Sequence, residues 1–286
     1  MKIIQDIDKM KTYAKIMRKD NKLVGFIPTM GYFHEGHLSL MRAARKQCDT
    51  VIVSVYVNPI QFGPREDFAS YPRDIKKDEE LARAEGVDVM FAPRDEDMYP
   101  AGYATYVNVE GLTEKLCGKS RPEHFKGVTT VVMKLFEITK PEIAYFGQKD
   151  AQQAFVIQKM VKDLNLGITM KIMPIVREND GLAMSSRNSY LNKTERKEAP
   201  VLRKALLEAE RAVSGGEASS KKIIKAMRDV IKEAPSAKID YISVVGTESL
   251  KDIASIKDEV LIALAVSIGK TRLIDNVIIR TETKEK

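Results

Sequence analysis

The sequence predicts an α/β protein: a doubly wound, parallel Rossmann-like sheet followed by a smaller C-terminal α+β domain. Short β-branched runs alternate with longer amphipathic stretches through the first two thirds of the 286 residues, which is the pattern of strand–helix–strand crossovers. Residues 50–57 (TVIVSVYV) are nearly all apolar, as expected of a strand buried on both faces. After residue 177 the order changes to helices followed by strands, which favours a separate α+β unit.

The elements of the first part follow from their residue patterns. Strands are runs rich in Val, Ile and Phe, and helices repeat apolar residues at helical spacing, as Leu38, Met41 and Ala44 do. The predicted strands span residues 23–27, 50–57, 87–91, 143–146 and 169–176. The predicted helices span residues 36–47, 72–84, 128–138 and 151–164.

The second part begins after the polar segment 177–181 (RENDG). We therefore expect a Rossmann-like domain at residues 1–177 and a smaller α+β domain at residues 178–286. Its predicted helices span residues 194–213 and 219–233, and its predicted strands span residues 241–245, 260–266 and 272–279.

Composition limits the possible functions. Hydrophobic residues make up 44% and charged residues 30%, which is ordinary for a globular protein with a core. No apolar run approaches the roughly 20 residues of a membrane span, and the N-terminus lacks a signal-peptide pattern. Two cysteines make no disulfide framework. We expect a cytoplasmic protein with no membrane partner.

The net charge of +7 is compatible with polyanionic ligands. The lysines and arginines are scattered, however, and their densest groupings are interrupted by acids or lie on predicted helix faces. A solvated surface explains them better than a nucleic-acid partner, which we do not expect.

Four polar, glycine-bearing segments follow predicted strands. They are residues 28–37, 58–63, 147–150 and 177–188. Ligands of open parallel sheets bind outside the carboxyl ends of the strands. The sequence therefore predicts that these segments converge on one site.

The first segment, 28–37 (PTMGYFHEGH), joins a buried strand to a helix and places His34 and His37 at the helix start. Helix N-termini attract phosphate, and residues three apart share a helix face. No G-x-G-x-x-G or Walker-type motif is present. An incidental surface helix start remains an alternative, as does a zinc site with His124 as third ligand, which the spacing disfavours. Two of the chain's three histidines lie here, which favours a functional role.

The other segments supply weaker signals. Lys149 can lie near phosphates and Asp150 can reach a ribose or a metal ion, although such a pair is usually a surface ion pair. Residues 185–187 (SSR) can wrap polyphosphate, although such loops more often cap a turn. Gln61 and Gln153 suit an uncharged polar part of a substrate, although a lone glutamine is normally just a satisfied polar residue.

In combination these motifs resemble one family, the pantoate–β-alanine ligases. The H-x-G-H element at residues 34–37 alone would fit many nucleotidyl transferases. The resemblance extends through the whole chain and rests on residues 58–62 (NPIQF), 121–128 (RPEHFKGV), 146–150 (FGQKD), 184–188 (MSSRN) and 269–276 (GKTRLIDN). Phe33 departs from the family's usual aliphatic residue and Glu123 from its usual glycine, so we assign no role to the neighbouring Arg121 or His124.

The resemblance implies that pantoate, ATP and β-alanine give pantothenate, AMP and pyrophosphate through a pantoyl-adenylate. It implies ATP contacts from Met30, Gly31, His34, Gly36, His37, Gly147, Gln148, Lys149, Asp150, Val176, Met184, Ser185, Ser186 and Arg187. It implies pantoate contacts from Gln61 and Gln153, with Gln61 also near β-alanine, and a further substrate contact from Asn58. It also implies a homodimer, an ATP- and pantoate-binding domain at residues 1–177, and a lid at residues 178–286.

Physical chemistry restricts the roles further. A carboxylate is already the nucleophile of the first step, so His37 need not transfer a proton there. We expect His34, His37, Lys149, Ser186 and Arg187 to stabilise charge on phosphate oxygens, with Mg²⁺ neutralising the leaving group. The metal's ligands and the base for the β-alanine amine stay unassigned.

Two other functions stay open on the residues alone. One is a nucleotidyltransferase with a different acceptor, such as a phosphate ester or a tRNA-bound amino acid. The other is a non-catalytic nucleotide-binding regulator, which would not need the substrate glutamines.

Overall fold

The structure is a computed structural model that describes residues 1–64 and 66–280. The strands are Lys2–Ile4 (β1), Val24–Thr29 (β2), Thr50–Val55 (β3), Val89–Phe91 (β4), Ile143–Gly147 (β5), Thr169–Met173 (β6), Ala237–Gly246 (β7), Val260–Ile268 (β8) and Thr271–Ile279 (β9). The helices are Ile7–Lys19 (α1), Glu35–Arg45 (α2), Ile75–Ala84 (α3), Asp95–Met98 (α4), Cys117–Ser120 (α5), His124–Thr139 (α6), Ala151–Asp163 (α7), Lys193–Glu198 (α8), Val201–Ser214 (α9) and Ser220–Ile231 (α10).

The larger sheet has six strands in the order β1-β4-β3-β2-β5-β6. All of its pairings are parallel. The strands β3 and β4 lie in succession on one side of β2, and the strands β5 and β6 lie in succession on its other side. The strand order therefore reverses between β2 and β5, which creates the crevice where ligands of such sheets bind.

Both faces of the larger sheet are covered. Phe26 and Ile52 lie in a core cluster with α6 and α7, whereas Ile27 and Val53 lie in a second cluster beneath α2. Neighbouring strand residues point to opposite faces, so a strand covered on both sides needs apolar residues at every position. This explains the apolar run in β3, and the doubly wound α/β prediction is confirmed.

The smaller sheet is antiparallel, in the order β7-β8-β9. The side chains of its middle strand β8 point alternately into two different hydrophobic cores. Ile262 and Leu264 pack in a cluster with α9 and α10, whereas Leu261 and Ala263 belong to the core cluster of the larger sheet. The small α+β unit is confirmed, and it shares part of its packing with the rest of the protein.

Several predicted bounds were wrong for local reasons. The single helix predicted at 194–213 is divided into α8 and α9 around Pro200, whose ring lacks an N–H and restricts the preceding residue. The helix predicted from residue 72 begins at Ile75, because Asp74 caps it by accepting from the Lys77 N–H. The strand predicted to reach residue 176 ends at Met173, just before Pro174. β1 and α1 were not predicted.

The predicted boundary at residue 177 stays a prediction. It lies after β6, where Arg177 forms an isolated antiparallel bridge with Ala183. The end of the predicted second domain, residues 281–286, lies outside the described residues. Within the described part of the chain, no helix is long and apolar enough to cross a membrane.

Candidate active site

A cavity of about 200 Å³ lies at the carboxyl ends of β2 and β5, where the strand order reverses. It brings together residues from all four predicted segments. The predicted residues that line it are Met30, His34, Gly36, His37, Gln61, Gly147, Lys149, Asp150, Gln153, Val176, Met184, Ser185, Ser186 and Arg187. Gly31, Gln148 and Asn58 are not part of its lining.

The two histidines form a reciprocal cap at the start of α2. His34 is the N-cap residue, and its Nδ1 accepts from the Gly36 N–H at 3.1 Å. The His37 Nδ1 accepts in turn from the His34 N–H at 3.3 Å. The ring centroids are 4.1 Å apart. Histidine here takes the place that Ser and Glu usually occupy in a capping box.

Burial keeps both rings neutral, and the cap determines which nitrogen of each ring carries the proton. Burial, reinforced by the Lys149 charge, lowers the pKa of His34 to about 4. Burial, followed by the effects of His34 and Lys149, lowers the pKa of His37 well below its ordinary value. Both rings are therefore neutral near pH 7, and because each Nδ1 accepts, each proton resides on Nε2. The pair offers two neutral N–H donors to a ligand.

Gly36 permits this arrangement because it has no Cβ. A Cβ there would stand 2.9 Å from the His34 Cε1, closer than real Cβ contacts allow. The glycine thus lets the His34 ring fold back over the first turn of α2.

Asp78 organises the loop that precedes the histidines. This α3 residue is only 2% exposed, and its carboxylate accepts from the Tyr32 and Phe33 N–H groups at 2.7 and 2.6 Å. Burial raises the pKa of Asp78 despite these bonds. Gly31, at φ +79°, fits beneath it, since a Cβ would meet the Asp78 Oδ2 at 2.8 Å. Asp78 was not predicted from the sequence, because a lone acid on a charged helix gives no signal of burial.

The third segment, residues 147–150, carries a lysine after β5. Lys149 and Asp150 lie in a 3-10 turn that leads into α7, with the ammonium 3.6 Å from the Asp150 carboxylate. Gln148 bonds instead to Asn276 of β9. The turn therefore presents one cation and one carboxylate to the cavity, while its backbone is held from the smaller sheet.

The fourth segment provides hydroxyls and a guanidinium through its residues 184–187. Ser185 caps a 3-10 turn, and the Ser186 hydroxyl lies 3.1 Å from the hydroxyl of Tyr71. Arg187 donates twice to Asp67, at 2.9 Å each. Burial alone would raise the pKa of Asp67, but the Arg187 guanidinium lowers it below its ordinary value. Tyr71 was not predicted from the sequence.

Asn58 lies behind Gln61 rather than on the cavity wall. Its amide donates to the Gln61 Oε1 at 2.9 Å and to the Gly127 carbonyl at 3.1 Å, and its oxygen accepts from the Tyr99 hydroxyl at 2.8 Å. Because Asn58 occupies the Gln61 oxygen, it orients the Gln61 amide nitrogen, which lies 3.3 Å from the Met30 sulfur. The structure thus places Gln61 at the wall and Asn58 as its support.

Gly127 explains how α6 comes so near Gln61. A Cβ there would come within 2.5 Å of the Ile60 carbonyl oxygen. A lone glycine inside a helix often has such a packing reason.

A larger cavity of about 500 Å³ adjoins the first and shares Lys149, Asp150, Gln153, Ser185 and Arg187 with it. Arg121 and His124 also line it, although no role was predicted for them. His124 places its Nδ1 2.9 Å from the Gln61 carbonyl oxygen, and burial together with Arg121 lowers its pKa to about 4. The side chain of Glu123, by contrast, is 78% exposed, so this departure from the family pattern leaves the cavity wall unchanged.

Phe33, the other departure, packs in the site. It is buried, and its ring centroid lies 5.5 Å from that of His37. The aromatic ring thus forms one side of the pocket that holds the His37 imidazole.

Comparison with known proteins identifies the family. The family model described as pantoate–β-alanine ligase matches residues 2–278. The chain belongs to the pantoate–β-alanine ligase family. Pantothenate synthetase from Acetivibrio thermocellus is 56% identical over 98% of this chain and 99% of its own length. Pantothenate synthetase from Carboxydothermus hydrogenoformans is 53% identical over 99% of this chain and 100% of its own.

Solved structures agree. The crystal structure of pantothenate synthetase from Thermus thermophilus superposes with a TM-score of 0.91 at 41% identity, over 97% of this chain and 99% of that one. The pantoate–β-alanine ligase from Francisella tularensis, complexed with Beta-gamma ATP and β-alanine, gives a TM-score of 0.81 at 34% identity, over 97% of both chains. The predicted family is confirmed, and the protein is a ligase that uses ATP to join pantoate to β-alanine.

Proposed function

We propose that this ligase works in two steps within the two joined cavities. The pantoate carboxylate first attacks the α-phosphorus of ATP, forming a pantoyl-adenylate and releasing pyrophosphate. The neutral amine of β-alanine then attacks the acyl carbon, forming the amide and releasing AMP and a proton. The observation that carries this proposal is the pair of neutral imidazole N–H donors beside Lys149, Ser186 and Arg187.

The first step needs donors for oxygens that gain charge, and this chain offers them already in place. We assign catalytic roles to His37, His34, Lys149 and Arg187. Neutral histidines suit charge stabilisation rather than proton transfer, since their pKa values lie far below pH 7. Preorganised donors of this kind supply much of the rate enhancement in phosphoryl and acyl chemistry.

The remaining assignments divide the cavity between substrates. Gln61 and Gln153 would bind pantoate, with Asn58 holding Gln61 in orientation. The residues proposed to bind ATP are Met30, Gly31, His34, Gly36, His37, Gly147, Gln148, Lys149, Asp150, Val176, Met184, Ser185, Ser186 and Arg187. Gly31 and Gln148 would act by shaping their loops, since neither lines the cavity.

Mg²⁺ fits this donor set as an ion bound mainly by substrate. Among the described residues, no group of three or more histidine, cysteine or acidic side chains could hold a metal by itself. Asp150 is the described carboxylate that lines both cavities. Mg²⁺ is commonly held by one or two carboxylates and substrate phosphates, so Asp150 would hold it here, and the ion would neutralise the leaving pyrophosphate.

The wider assignments follow the family resemblance. We propose that the protein is a homodimer in the cytoplasm and that residues 178–286 limit water access to the adenylate, which hydrolyses when free. Light scattering of the purified protein tests the dimer: a monomer at working concentration would contradict it.

One experiment separates the ligase from its alternatives. The enzyme is incubated with ATP, labelled pyrophosphate, Mg²⁺ and pantoate, and then β-alanine is added. Pantoate-dependent exchange of label into ATP, followed by pantothenate formation, supports the proposal. Exchange driven only by a different acid would indicate another acceptor, and nucleotide binding without exchange would indicate a regulator.

A further inference from the structure

The motif at residues 269–276 leads into β9, and its residues 270–276 line the larger cavity, although the roles proposed above do not use them. Asn276 is 4% exposed and belongs to the smaller sheet, where it pairs with Ala263. Its side chain reaches the turn that carries Lys149, about half the chain away in sequence. It is therefore a long-range contact between the smaller sheet and a cation of the active site.

The Asn276 amide makes three hydrogen bonds in this contact. Its nitrogen donates to the carbonyl oxygens of Gln148 and Lys149 at 2.9 and 3.0 Å. Its oxygen accepts from the Gln148 side-chain nitrogen at 3.2 Å. The amide thus holds the two peptide groups that flank Lys149, one before the residue and one after it.

The neighbouring residue holds the strand itself in place. Asp275 is buried and forms a two-bond ion pair with Arg177, with N–O distances of 2.6 and 3.0 Å. Arg177 also donates to the Gly181 carbonyl, in the turn that leads to residues 184–187. Asn276 therefore cannot easily shift along the strand when the Lys149 turn is pulled.

We infer that Asn276 is a positioning residue for adenylate formation, acting through the backbone of Gln148 and Lys149 to place the Lys149 ammonium. This inference rests on the proposed function. Misplacing a reacting or stabilising group by about 1 Å costs on the order of 10²-fold in rate. The amide is chemically specific for this task, because a carboxylate of the same shape would face two carbonyl oxygens without a proton to donate.

The test compares Asn276→Asp and Asn276→Ala with the wild type in pantoate-dependent pyrophosphate exchange. Ile262→Val is the matched control, since it removes a buried methyl from the adjoining strand without touching either cavity. For Asn276→Asp we expect kcat to fall by about 10²-fold near pH 8, with the KM for pantoate changed by less than about threefold. Ile262→Val should keep the wild-type kcat.

The pH profile distinguishes positioning from loss of stability. Burial against carbonyls raises the pKa of the introduced carboxyl, and once protonated it can donate to one of them. The ratio of the Asn276→Asp kcat to the wild-type kcat should therefore rise as the pH is lowered, whereas Asn276→Ala should show a loss independent of pH.

A kcat within about twofold of wild type in folded Asn276→Ala would overturn the inference. So would a ratio for Asn276→Asp that does not change with pH. If Asn276→Asp does not fold, Asn276→Ala alone decides. Absence of exchange in the wild type would instead overturn the proposed function.

Discussion

Replacing His37 with alanine tests the central assignment. The substitution removes one of the two Nε2–H donors that the capping arrangement directs away from the α2 backbone. Loss of one preorganised donor costs about 10²–10³ in rate, or roughly 2.7–4 kcal/mol of transition-state stabilisation. We expect a decrease of this size in pantoate-dependent pyrophosphate exchange, with a smaller change in the KM for pantoate.

The same substitution also weakens the helix cap, so stability needs a control. The His34 N–H loses its acceptor, and losing a cap bond costs about 1 kcal/mol. His37→Gln is the matched variant, because glutamine at this position is a normal capping-box partner and its amide still carries a donor. We expect His37→Gln to retain the wild-type melting temperature and to be faster than His37→Ala.

The assay is pyrophosphate exchange at saturating ATP, repeated over a range of pH. Because His37 is neutral well below pH 7, the wild-type profile should show no inflection near the ordinary histidine pKa of about 6.5. Exchange by folded His37→Ala at a near-normal rate would refute the donor role. An inflection near that pKa that disappears in His37→Gln would refute the neutral state.

Four further predictions follow from the site. Asp78→Asn should lose one of the two hydrogen bonds to the loop, which should lower the free energy of unfolding in urea by about 1–3 kcal/mol and slow pyrophosphate exchange. An unchanged free energy of unfolding together with an unchanged exchange rate would contradict the organising role of Asp78. Gly36→Ala should slow exchange while circular dichroism stays native, because its Cβ displaces the His34 ring; wild-type kinetics would refute this. Gln61→Ala should raise the KM for pantoate and β-alanine, and steady-state kinetics with unchanged KM values would exclude it as a substrate contact. The pKa of His124 is about 4 in the folded state and about 6.5 in the unfolded state, so the unfolded state takes up its proton at the higher pH. The free energy of unfolding, measured by urea titration, should therefore decrease by about 3 kcal/mol as the pH falls from about 6.5 to about 4. His124→Gln should not show this decrease.

Local patterns were enough to predict five of the six strands in the sheet that positions the site. The strand β3 was predictable because its apolar run and the polar residues that end it are adjacent in the sequence. Since ligands bind at the carboxyl ends of parallel strands, residues 28–37 were then predicted to lie in one site with Lys149 and Arg187. The division of the helix predicted at 194–213 was also encoded locally, in Pro200, but a strong helical repeat on both sides hid it.

The residues that were missed act through long-range contacts. Asp78 reaches back 45 positions to the Phe33 N–H, and Tyr71 meets Ser186 across 115 positions. No periodicity records such pairs, and each residue type is common on surfaces. Asn58 was predicted from its motif as a substrate contact, but its position behind Gln61 depends on the fold and was not predictable from the sequence.

The packing of β8 side chains in two hydrophobic cores also affects how the protein unfolds. Val245, Leu250, Leu261 and Ala263 belong to the smaller sheet and its connections, yet they complete the hydrophobic cluster of the larger one. Dividing the chain near residue 177 would expose these apolar side chains, and the cluster they complete, to water. We therefore expect the two halves to unfold together, and neither half to fold as an independent module when expressed alone.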